Sequence, residues 1–371
     1  MGQHTIYFWQ RIVTPHMVNV AVELYQLGCS VVYVAEQLMS DERADQGWVL
    51  PDIGGVKLEV VSNSDDVFDL ISSACEDSIH ICQGIRANGL VGVAQYMLAD
   101  AGLVQWVVME TVNDVSWRGF IKRVVYSRLF NKKRNVIVGV LAIGHRTTKW
   151  VVSRGVAADS VFPFTYFLSP SESPDIPVKQ NHIFRFVFVG QFIARKRLDW
   201  LITELSVINE QPFELVVIGS GALEQTLRRQ AENALGDKIN WVGKLPSSEV
   251  GVYMATADCL VLPSSHDGWG AVVSEAIMCG TPVICSDACG SAGVVHASGV
   301  GGVFKANSNN ELRDLLKTAI QTGSINCEQR NEIIRRSEFI TAKEGAKYLL
   351  EILYGNKKQY IKPVPPWDKL K

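Results

Sequence analysis

Cysteine motifs are the first feature that this sequence lacks. Its eight cysteines form no CxxC pair, which argues against a zinc ribbon or a thioredoxin-type redox site. Cys285 and Cys289 have the spacing of helical metal ligands, but no second pair of Cys or His lies near them in the sequence. We therefore interpret the cysteines as scattered buried thiols in a reducing compartment, and we predict no metal site.

Long apolar runs and a strong charge imbalance are missing too. The longest apolar runs have the length of strands, whereas a membrane-spanning helix needs about 20 apolar residues. The start of the chain, MGQHTIYFWQRIV, shows no charged region followed by a long apolar stretch, so we expect no signal peptide. The net charge of −2 gives no indication of a nucleic-acid partner. Together these features predict a cytoplasmic protein.

The sequence does contain the pattern of an α/β protein. Its 371 residues, 47% hydrophobic and 20% charged, suit two globular domains of roughly 150–200 residues each. Short β-branched runs alternate with amphipathic stretches, which is typical of parallel sheets flanked by helices. The segment Ser169–Gln180 interrupts this pattern with three prolines and two acidic residues. We therefore predict a linker at 169–182 between domains at 1–168 and 183–337.

The most informative run extends from Asp258 to Asp287. It reads DCLVLPSSHDGWGAVVSEAIMCGTPVICSD and predicts a strand, a glycine-containing loop, a helix beginning near Ala271 and a second strand. Asp267 lies in the loop and Glu275 lies eight positions later, in the helix. Free N–H groups at the start of such a helix bind anions such as a diphosphate. The glycines let the backbone approach a ligand, and the two acids can accept hydrogen bonds from ribose and sugar hydroxyls.

This run resembles the donor domain of the retaining GT-B glycosyltransferases of family 4, or group 1, which include glycogen synthases and phosphatidylinositol mannosyltransferases. Their motif is E-x7-E followed by a G-x-P-V strand, and here Asp267 stands in place of the first Glu. The resemblance implies that Asp267 contacts donor-sugar hydroxyls, that Glu275 binds the ribose, and that the amides of Ala271 and Val272 contact the diphosphate. It also implies an α/β architecture of two Rossmann-like domains that face each other across a cleft. A C-terminal helix, 338–371, is expected to complete the first domain.

A loop with two cations follows the strand predicted at Phe184–Val189. Gly190 to Lys196 corresponds to the family's G-R-x(n)-K, whose cations neutralise the leaving diphosphate, with Gln191 in place of the Arg. The resemblance therefore gives this role to Lys196 with support from Arg195, and the alternative is a solvated surface cluster. The predicted catalytic residues are Lys196, Arg195, Asp267 and Glu275. The predicted donor-binding residues are Gly190, Gly219, Gly221, Val242, Gly268, Trp269, Gly270, Ala271, Val272 and Glu275.

The first domain is expected to bind the acceptor. Its first strand–helix loop lacks the GxGxxG of a dinucleotide site, which argues against a dehydrogenase. Arg11 and His16 lie in that loop, Glu110 occupies a place where the family often has His, and His145 follows a later strand. Each of these side chains could face the cleft and meet the acceptor. The alternatives are core packing for His16 and a helix cap or salt bridge for Glu110.

The stretch Trp117–Arg134 is basic and amphipathic. It has seven cations and no acid among its 18 residues, and its apolar residues recur at nearly helical spacing. Such a helix suits an anionic membrane surface, so we expect peripheral attachment to the inner face of the cytoplasmic membrane. The alternative is that its apolar face packs into the core. The residues predicted to meet the membrane are Arg118, Lys122, Arg123, Lys132 and Lys133.

Taken together, the motifs predict a retaining glycosyltransferase. It would move a hexose-type sugar from a nucleoside-diphosphate sugar to a glycan, in particular a lipid-linked glycan of the cell surface. No Asp-x-Asp metal motif is present, so Lys196, Arg195 and helix amides are expected to stabilise the leaving diphosphate without a cofactor or a required metal. Two alternatives are a nucleotide-sugar 2-epimerase of the same fold and a non-catalytic nucleotide-sugar-binding subunit. An epimerase makes an isomer without an acceptor, and a binding subunit does not turn over alone.

Overall fold

The computed structural model describes residues 4–45, 48–86, 88–115, 117–169, 183–355 and 362–369. The chain divides into two compact units. Unit 1 contains the described residues within 4–45, 50–169 and 340–369, and unit 2 contains those within 48–49 and 183–339. The predicted linker, apart from Ser169, lies outside the described residues. All eight cysteines are free thiols, and five of them are buried.

Unit 1 is built on a seven-stranded parallel sheet. Its strands are β1 (Ile6–Ile12), β2 (Val31–Gln37), β3 (Lys57–Val60), β4 (Ile79–Gln83), β5 (Gln105–Glu110), β6 (Ile137–Ile143) and β7 (Val161–Phe164). Most of the central strands are almost wholly apolar and buried, as expected for strands covered by helices on both faces. The first six helices are α1 (Pro15–Gln26), α2 (Asp41–Asp45), α3 (Ser64–Ser72), α4 (Gly89–Asp100), α5 (Trp117–Lys132) and α6 (Thr147–Val152).

The strand order in this sheet is β3-β2-β1-β4-β5-β6-β7, so its direction reverses between β1 and β4. These two strands pair in parallel, with Trp9 opposite Cys82. The loops that follow them therefore begin side by side at the carboxyl edge of the sheet. Open α/β sheets bind ligands at such a reversal.

Unit 2 repeats the same plan with six parallel strands. They are β8 (Phe184–Val189), β9 (Phe213–Ile218), β10 (Ile239–Gly243), β11 (Cys259–Leu262), β12 (Val283–Ser286) and β13 (Gly301–Phe304). The strand order is β10-β9-β8-β11-β12-β13, and it reverses between β8 and β11. The helices are α7 (Leu198–Val207), α8 (Glu224–Leu235), α9 (Ser247–Thr256), α10 (Ala271–Met278), α11 (Ala292–Ser298), α12 (Asn309–Thr322) and α13 (Cys327–Arg336).

The last helix, α14 (Ala342–Tyr354), belongs to unit 1. Backbone hydrogen bonds join Leu168 to the segment before it, because Leu168 N–H donates to the Ile340 carbonyl (3.0 Å) and Ala342 N–H donates to Leu168 (2.8 Å). The helix packs against α1. The ring of Phe167 lies so close to Gly345 that a Cβ there would be 2.3 Å from Phe167 Cγ. The helix starts at Ala342 rather than at 338, because 337–340 form a 3₁₀ turn.

Three short strands, β7, β10 and β13, carry no clear pattern in the sequence. All three lie at the edges of their sheets, where less of the strand has to be apolar. Pro163 sits in β7, a position that only an edge strand tolerates well. Within the described ranges, no helix is both long enough and apolar enough to span a bilayer.

Candidate active site

The carboxyl edge of the unit 2 sheet brings together the loops after β8 and β11, the two strands at its reversal. The backbones of these loops are joined directly, since Ser265 N–H donates to the Arg195 carbonyl at 2.8 Å. On its other side the β11 loop is tied to the segment after β12, because Gly290 N–H donates to Asp267 O at 3.0 Å. The fold therefore fixes Lys196 and Asp267 as neighbours although 71 positions separate them in the chain.

Lys196 and Asp267 form the centre of this edge. Lys196 is only 8% exposed, and its Nζ donates to Asp267 Oδ2 at 2.5 Å. Arg195 is more exposed and its Nη1 lies 3.4 Å from the same oxygen. Two cations thus share one carboxylate, so Lys196, Arg195 and Asp267 together carry a net positive charge. A solvated surface cluster does not describe Lys196, because its side chain is buried.

The start of α10 presents free amide groups to the same edge. Gly270, its N-cap residue, has φ +86°, and a Cβ there would lie 2.9 Å from Leu262 Cδ2. No side chain caps this helix, and no described residue accepts a hydrogen bond from the Ala271 or Val272 amides. Unpaired N–H groups and the helix dipole favour an anion here.

Glu275 lies on α10, one turn after those amides, and is half-buried. Burial raises the pKa of its carboxyl group to about 7, and the charge of Lys196 opposes this rise. Within the described residues no donor contacts this carboxylate. Glu275 is therefore an available hydrogen-bond acceptor in a partly dehydrated setting, as a residue that binds a ribose diol should be.

The remaining predicted donor residues differ in how much surface they offer. A Cβ at Gly219 would lie 2.0 Å from the Gly190 carbonyl oxygen, so the loops after β8 and β9 can pack together only because residue 219 is glycine. Gly221 continues this loop, and Val242 lies in the neighbouring strand β10.

In the loop after β11, Trp269 is 4% exposed, so its ring packs within that loop and offers little surface to a ligand. Gly268 packs closely against Gly290.

In unit 1 the structure brings two predicted acceptor residues together with a third that was not predicted. Tyr166 donates to Glu110 Oε1 at 2.5 Å, and its ring stacks on that of His16 with a centroid distance of 4.6 Å. Burial lowers the pKa of His16 to about 4, so this ring is neutral at pH 7. Glu110 ends β5, and Tyr166 follows β7. The sequence signal for Tyr166 was weak: a single polar aromatic residue after a strand without a clear pattern.

The other two acceptor-side predictions, Arg11 and His145, have exposed side chains. Arg11 is exposed, and its Nε lies 3.6 Å from Glu36 Oε2. Its backbone N–H donates to Gln83 Oε1 at 3.0 Å, which joins the ends of β1 and β4. Arg11 thus lies in β1 and not, as predicted, in the loop after it. His145 is exposed in the turn after β6. Among the described residues, no group of three or more His, Cys, Asp or Glu side chains could hold a metal ion.

The basic helix α5 forms as predicted, but the assignment of Lys133 to the membrane surface is wrong. Lys133 is 8% exposed, and its Nζ donates to Gln95 Oε1 at 2.9 Å, so it cannot meet a membrane. Lys122 donates to the Asn113 carbonyl at 2.7 Å, and Arg123 lies 3.3 Å from the Asp114 carboxylate. Arg118 and Lys132 are exposed.

Two units, each built on a parallel sheet whose strand order reverses once, are typical of the GT-B fold. The lipopolysaccharide outer core galactosyltransferase WaaB, in its apo form, matches with a TM-score of 0.70 and 15% identity over 94% of this chain and 99% of that chain. The Anabaena protein HepE in complex with UDP matches with a TM-score of 0.70 and 14% identity over 95% of this chain and 100% of that chain. The predicted fold is confirmed.

Residues 172–338 match the family described as glycosyl transferases group 1. A curated relative, an uncharacterized glycosyltransferase of Methanocaldococcus jannaschii, is 28% identical over 162 residues. That alignment covers 43% of this chain and 42% of the relative, so the chain spans less than half of the relative's length. The predicted resemblance to the group 1 glycosyltransferases is confirmed over these residues.

Proposed function

We propose that the protein is a retaining glycosyltransferase that moves a hexose from a nucleoside-diphosphate sugar to a lipid-linked glycan of the cell surface. The observation that carries this proposal is the cluster at the β8/β11 reversal. There, a buried lysine, a second cation, free helix amides and an uncommitted carboxylate lie within one group 1 domain. The match to HepE in complex with UDP supports a nucleotide ligand.

Each group in this cluster has a distinct task in sugar transfer. The diphosphate binds at the Ala271 and Val272 amides, and Glu275 accepts hydrogen bonds from the ribose. As the bond to the sugar breaks, negative charge builds on the leaving phosphate. Lys196 and Arg195 stabilise that charge more than they stabilise the intact donor, which lowers the barrier. Asp267 positions Lys196 until the diphosphate binds, and it then accepts hydrogen bonds from the donor sugar.

The acceptor is proposed to bind unit 1 through Glu110, whose carboxylate is oriented by Tyr166 beside the neutral ring of His16. A carboxylate offers about four lone-pair sites, so the hydrogen bond from Tyr166 does not exhaust its capacity to accept from a sugar hydroxyl. The match to a lipopolysaccharide galactosyltransferase supports a cell-surface glycan. Attachment to an anionic membrane through α5 would keep the protein near a lipid-linked acceptor.

The test begins with a thermal-shift panel of nucleotide sugars. A ligand at about 100 times its Kd should stabilise the folded state by about 2.7 kcal/mol. The nucleotide sugar that binds is then incubated with candidate lipid-linked glycans, and the anomeric configuration of the product is determined by NMR. We expect acceptor-dependent product of retained configuration, formed also in excess chelator.

Three outcomes contradict this function. An isomerised nucleotide sugar formed without acceptor indicates an epimerase. Tight donor binding without turnover by any acceptor indicates a binding subunit. Activity that chelator abolishes and Mg²⁺ or Mn²⁺ restores contradicts the role given to Lys196 and the helix amides.

A further inference from the structure

We propose that α5 and the turn after α6 form a specific site for the phosphate of an anionic lipid headgroup. This inference deepens the membrane part of the proposed function and rests on it. The site is an open groove of about 430 Å³. Its polar lining consists of three arginines, Arg123, Arg128 and Arg154, with the Ser127 hydroxyl and the Asn131 amide.

A half-buried tryptophan, Trp150, contacts one of these arginines and the carboxylate that pairs with another. Trp150 Nε1 donates to Asp114 Oδ2 at 2.9 Å, and Arg123 lies 3.3 Å from the same carboxylate oxygen. The guanidinium of Arg154 lies over the Trp150 ring, 5.3 Å from its centroid. These contacts fix the guanidinium groups of Arg123 and Arg154 and leave some of their N–H groups free for a ligand. Because these two side chains are ordered before a ligand binds, the entropy cost of binding is reduced.

The charges of the groove are only partly compensated. Asp114 offsets Arg123, whereas Arg128 and Arg154 form no ion pair with any described residue. Arg154 Nη2 donates to the neutral Ser153 hydroxyl at 3.0 Å, and its Nε is buried without a hydrogen-bond partner among the described residues. A buried N–H without an acceptor is costly. A phosphate oxygen would satisfy it, and arginine binds phosphate through two parallel hydrogen bonds.

The surface beside the groove identifies the phosphate as part of a lipid. Four large apolar side chains near the start of α5 are strongly exposed: Val115 (83%), Trp117 (70%), Phe120 (62%) and Ile121 (51%). Phe120 also lines the groove. A soluble phosphate needs no such neighbours, whereas at a bilayer they enter the interface while the arginines meet the headgroups.

The test compares two double variants that remove equal charge. Arg128→Gln/Arg154→Gln alters the groove, and Lys57→Gln/Lys343→Gln removes two exposed cations of unit 1 outside α5 and the groove. Binding to vesicles of phosphatidylglycerol and phosphatidylcholine is measured by co-sedimentation. We expect the groove variant to bind about tenfold or more weakly, the control to bind within about twofold of wild type, and neither to bind pure phosphatidylcholine. Equal losses in both variants overturn the site in favour of general electrostatic attraction, and no wild-type binding overturns it too.

Soluble probes distinguish a lipid from a free phosphate. Short-chain phosphatidylglycerol below its micelle concentration should compete with vesicles at a lower concentration than inorganic phosphate does. Equal competition would overturn the lipid assignment. Sugar transfer to a water-soluble acceptor should be unchanged in the groove variant. If wild type binds vesicles through the groove but transfers no sugar, the proposed function fails while the lipid site stands.

Discussion

At the scale of single residues, the pair of Lys196 and Asp267 connects folding to chemistry. Removing one partner of a buried ion pair leaves an uncompensated charge and costs stability. If Lys196 is removed, Arg195, 3.4 Å from Asp267 Oδ2, partly compensates the charge of Asp267 and reduces that cost. A diphosphate bound at the start of α10 would compete with Asp267 for the lysine ammonium group. The exchange of Lys196 from carboxylate to phosphate is thus the event on which the proposed mechanism depends.

Lys196→Ala should therefore lower kcat by about 100-fold or more, because the lost charge acts mainly in the transition state. Lys317→Ala, which removes an exposed cation from α12, is the matched control and should leave kcat unchanged. Steady-state kinetics at saturating donor and acceptor measure the effect. A variant with wild-type kcat and only a raised KM would contradict a role on the leaving group.

Glu275 predicts a pH dependence of donor binding. Its pKa of about 7 means that part of the population is protonated at neutral pH. A ribose diol donates to the ionised form, so the Kd of the donor should rise as pH falls below about 7, by at most tenfold per pH unit. Calorimetric titration between pH 5.5 and 8 measures this. Glu275→Gln should bind more weakly at pH 8 and show a flat profile, and an unchanged profile would remove Glu275 from the site.

At the scale of elements, two helical glycines give opposite expectations for the same substitution. Gly345 in α14 faces the Phe167 ring, with 2.3 Å from an added Cβ to Phe167 Cγ. Gly92 in α4 has nothing within 4 Å of an added Cβ. Gly92→Ala should stabilise by about 0.5–1 kcal/mol through helix propensity. Gly345→Ala should destabilise by about 1–3 kcal/mol through overpacking.

Urea unfolding of both alanine variants checks this pair. If Gly345→Ala also stabilises the protein, α14 does not pack on Phe167 as described.

Elements differ in how far the sequence predicted them. The run Asp258–Asp287 gave β11, α10 and β12 nearly at their observed bounds, because the apolar strands and the glycine loop are local signals. The helix at Trp117 was also predicted, but the place of Lys133 was not. Its partner Gln95 lies on α4, 38 positions away. Helical spacing shows which residues share a face, and only the tertiary structure shows which face is covered.

At the scale of the whole molecule, buried neutral histidines make stability depend on pH. His80 is fully buried. Its Nδ1 accepts from Trp9 Nε1 at 3.1 Å, and its Nε2 lies 2.8 Å from the Ser78 hydroxyl. Burial lowers the pKa of both His80 and His16 to about 4. The unfolded chain, with ordinary values near 6.5, binds these protons first, so acid favours unfolding.

We therefore expect the free energy of unfolding to fall as pH decreases from about 7 to 4, by on the order of 3 kcal/mol for each buried histidine at most. Urea unfolding at several pH values measures the slope. His80→Gln should reduce this slope, whereas His296→Gln, at an exposed position on α11, should leave it unchanged. A wild-type slope in His80→Gln would show that His80 is not the group that titrates.

The candidate site was predictable where it depends on one domain's local motifs and not where it depends on distant contacts. Lys196, Asp267 and Glu275 each sit in a loop or helix that the sequence marks, and the order of strands brings them to one edge. The association of His16, Glu110 and Tyr166 joins α1, the end of β5 and the segment after β7. No spacing rule connects residues that are 56 positions apart, as Glu110 and Tyr166 are.

The return of α14 to unit 1 has a consequence for how the protein is made. α1 packs against α14, yet about 300 residues are translated between them, which takes on the order of 15–60 s at ribosomal speed. Throughout that interval the nascent unit 1 lacks its last helix, while residues 183–339 have all been synthesised before it emerges. Unit 2, although encoded second, can therefore complete its fold first. Unit 1, which contains the first residues synthesised, remains accessible to chaperones and proteases for longer.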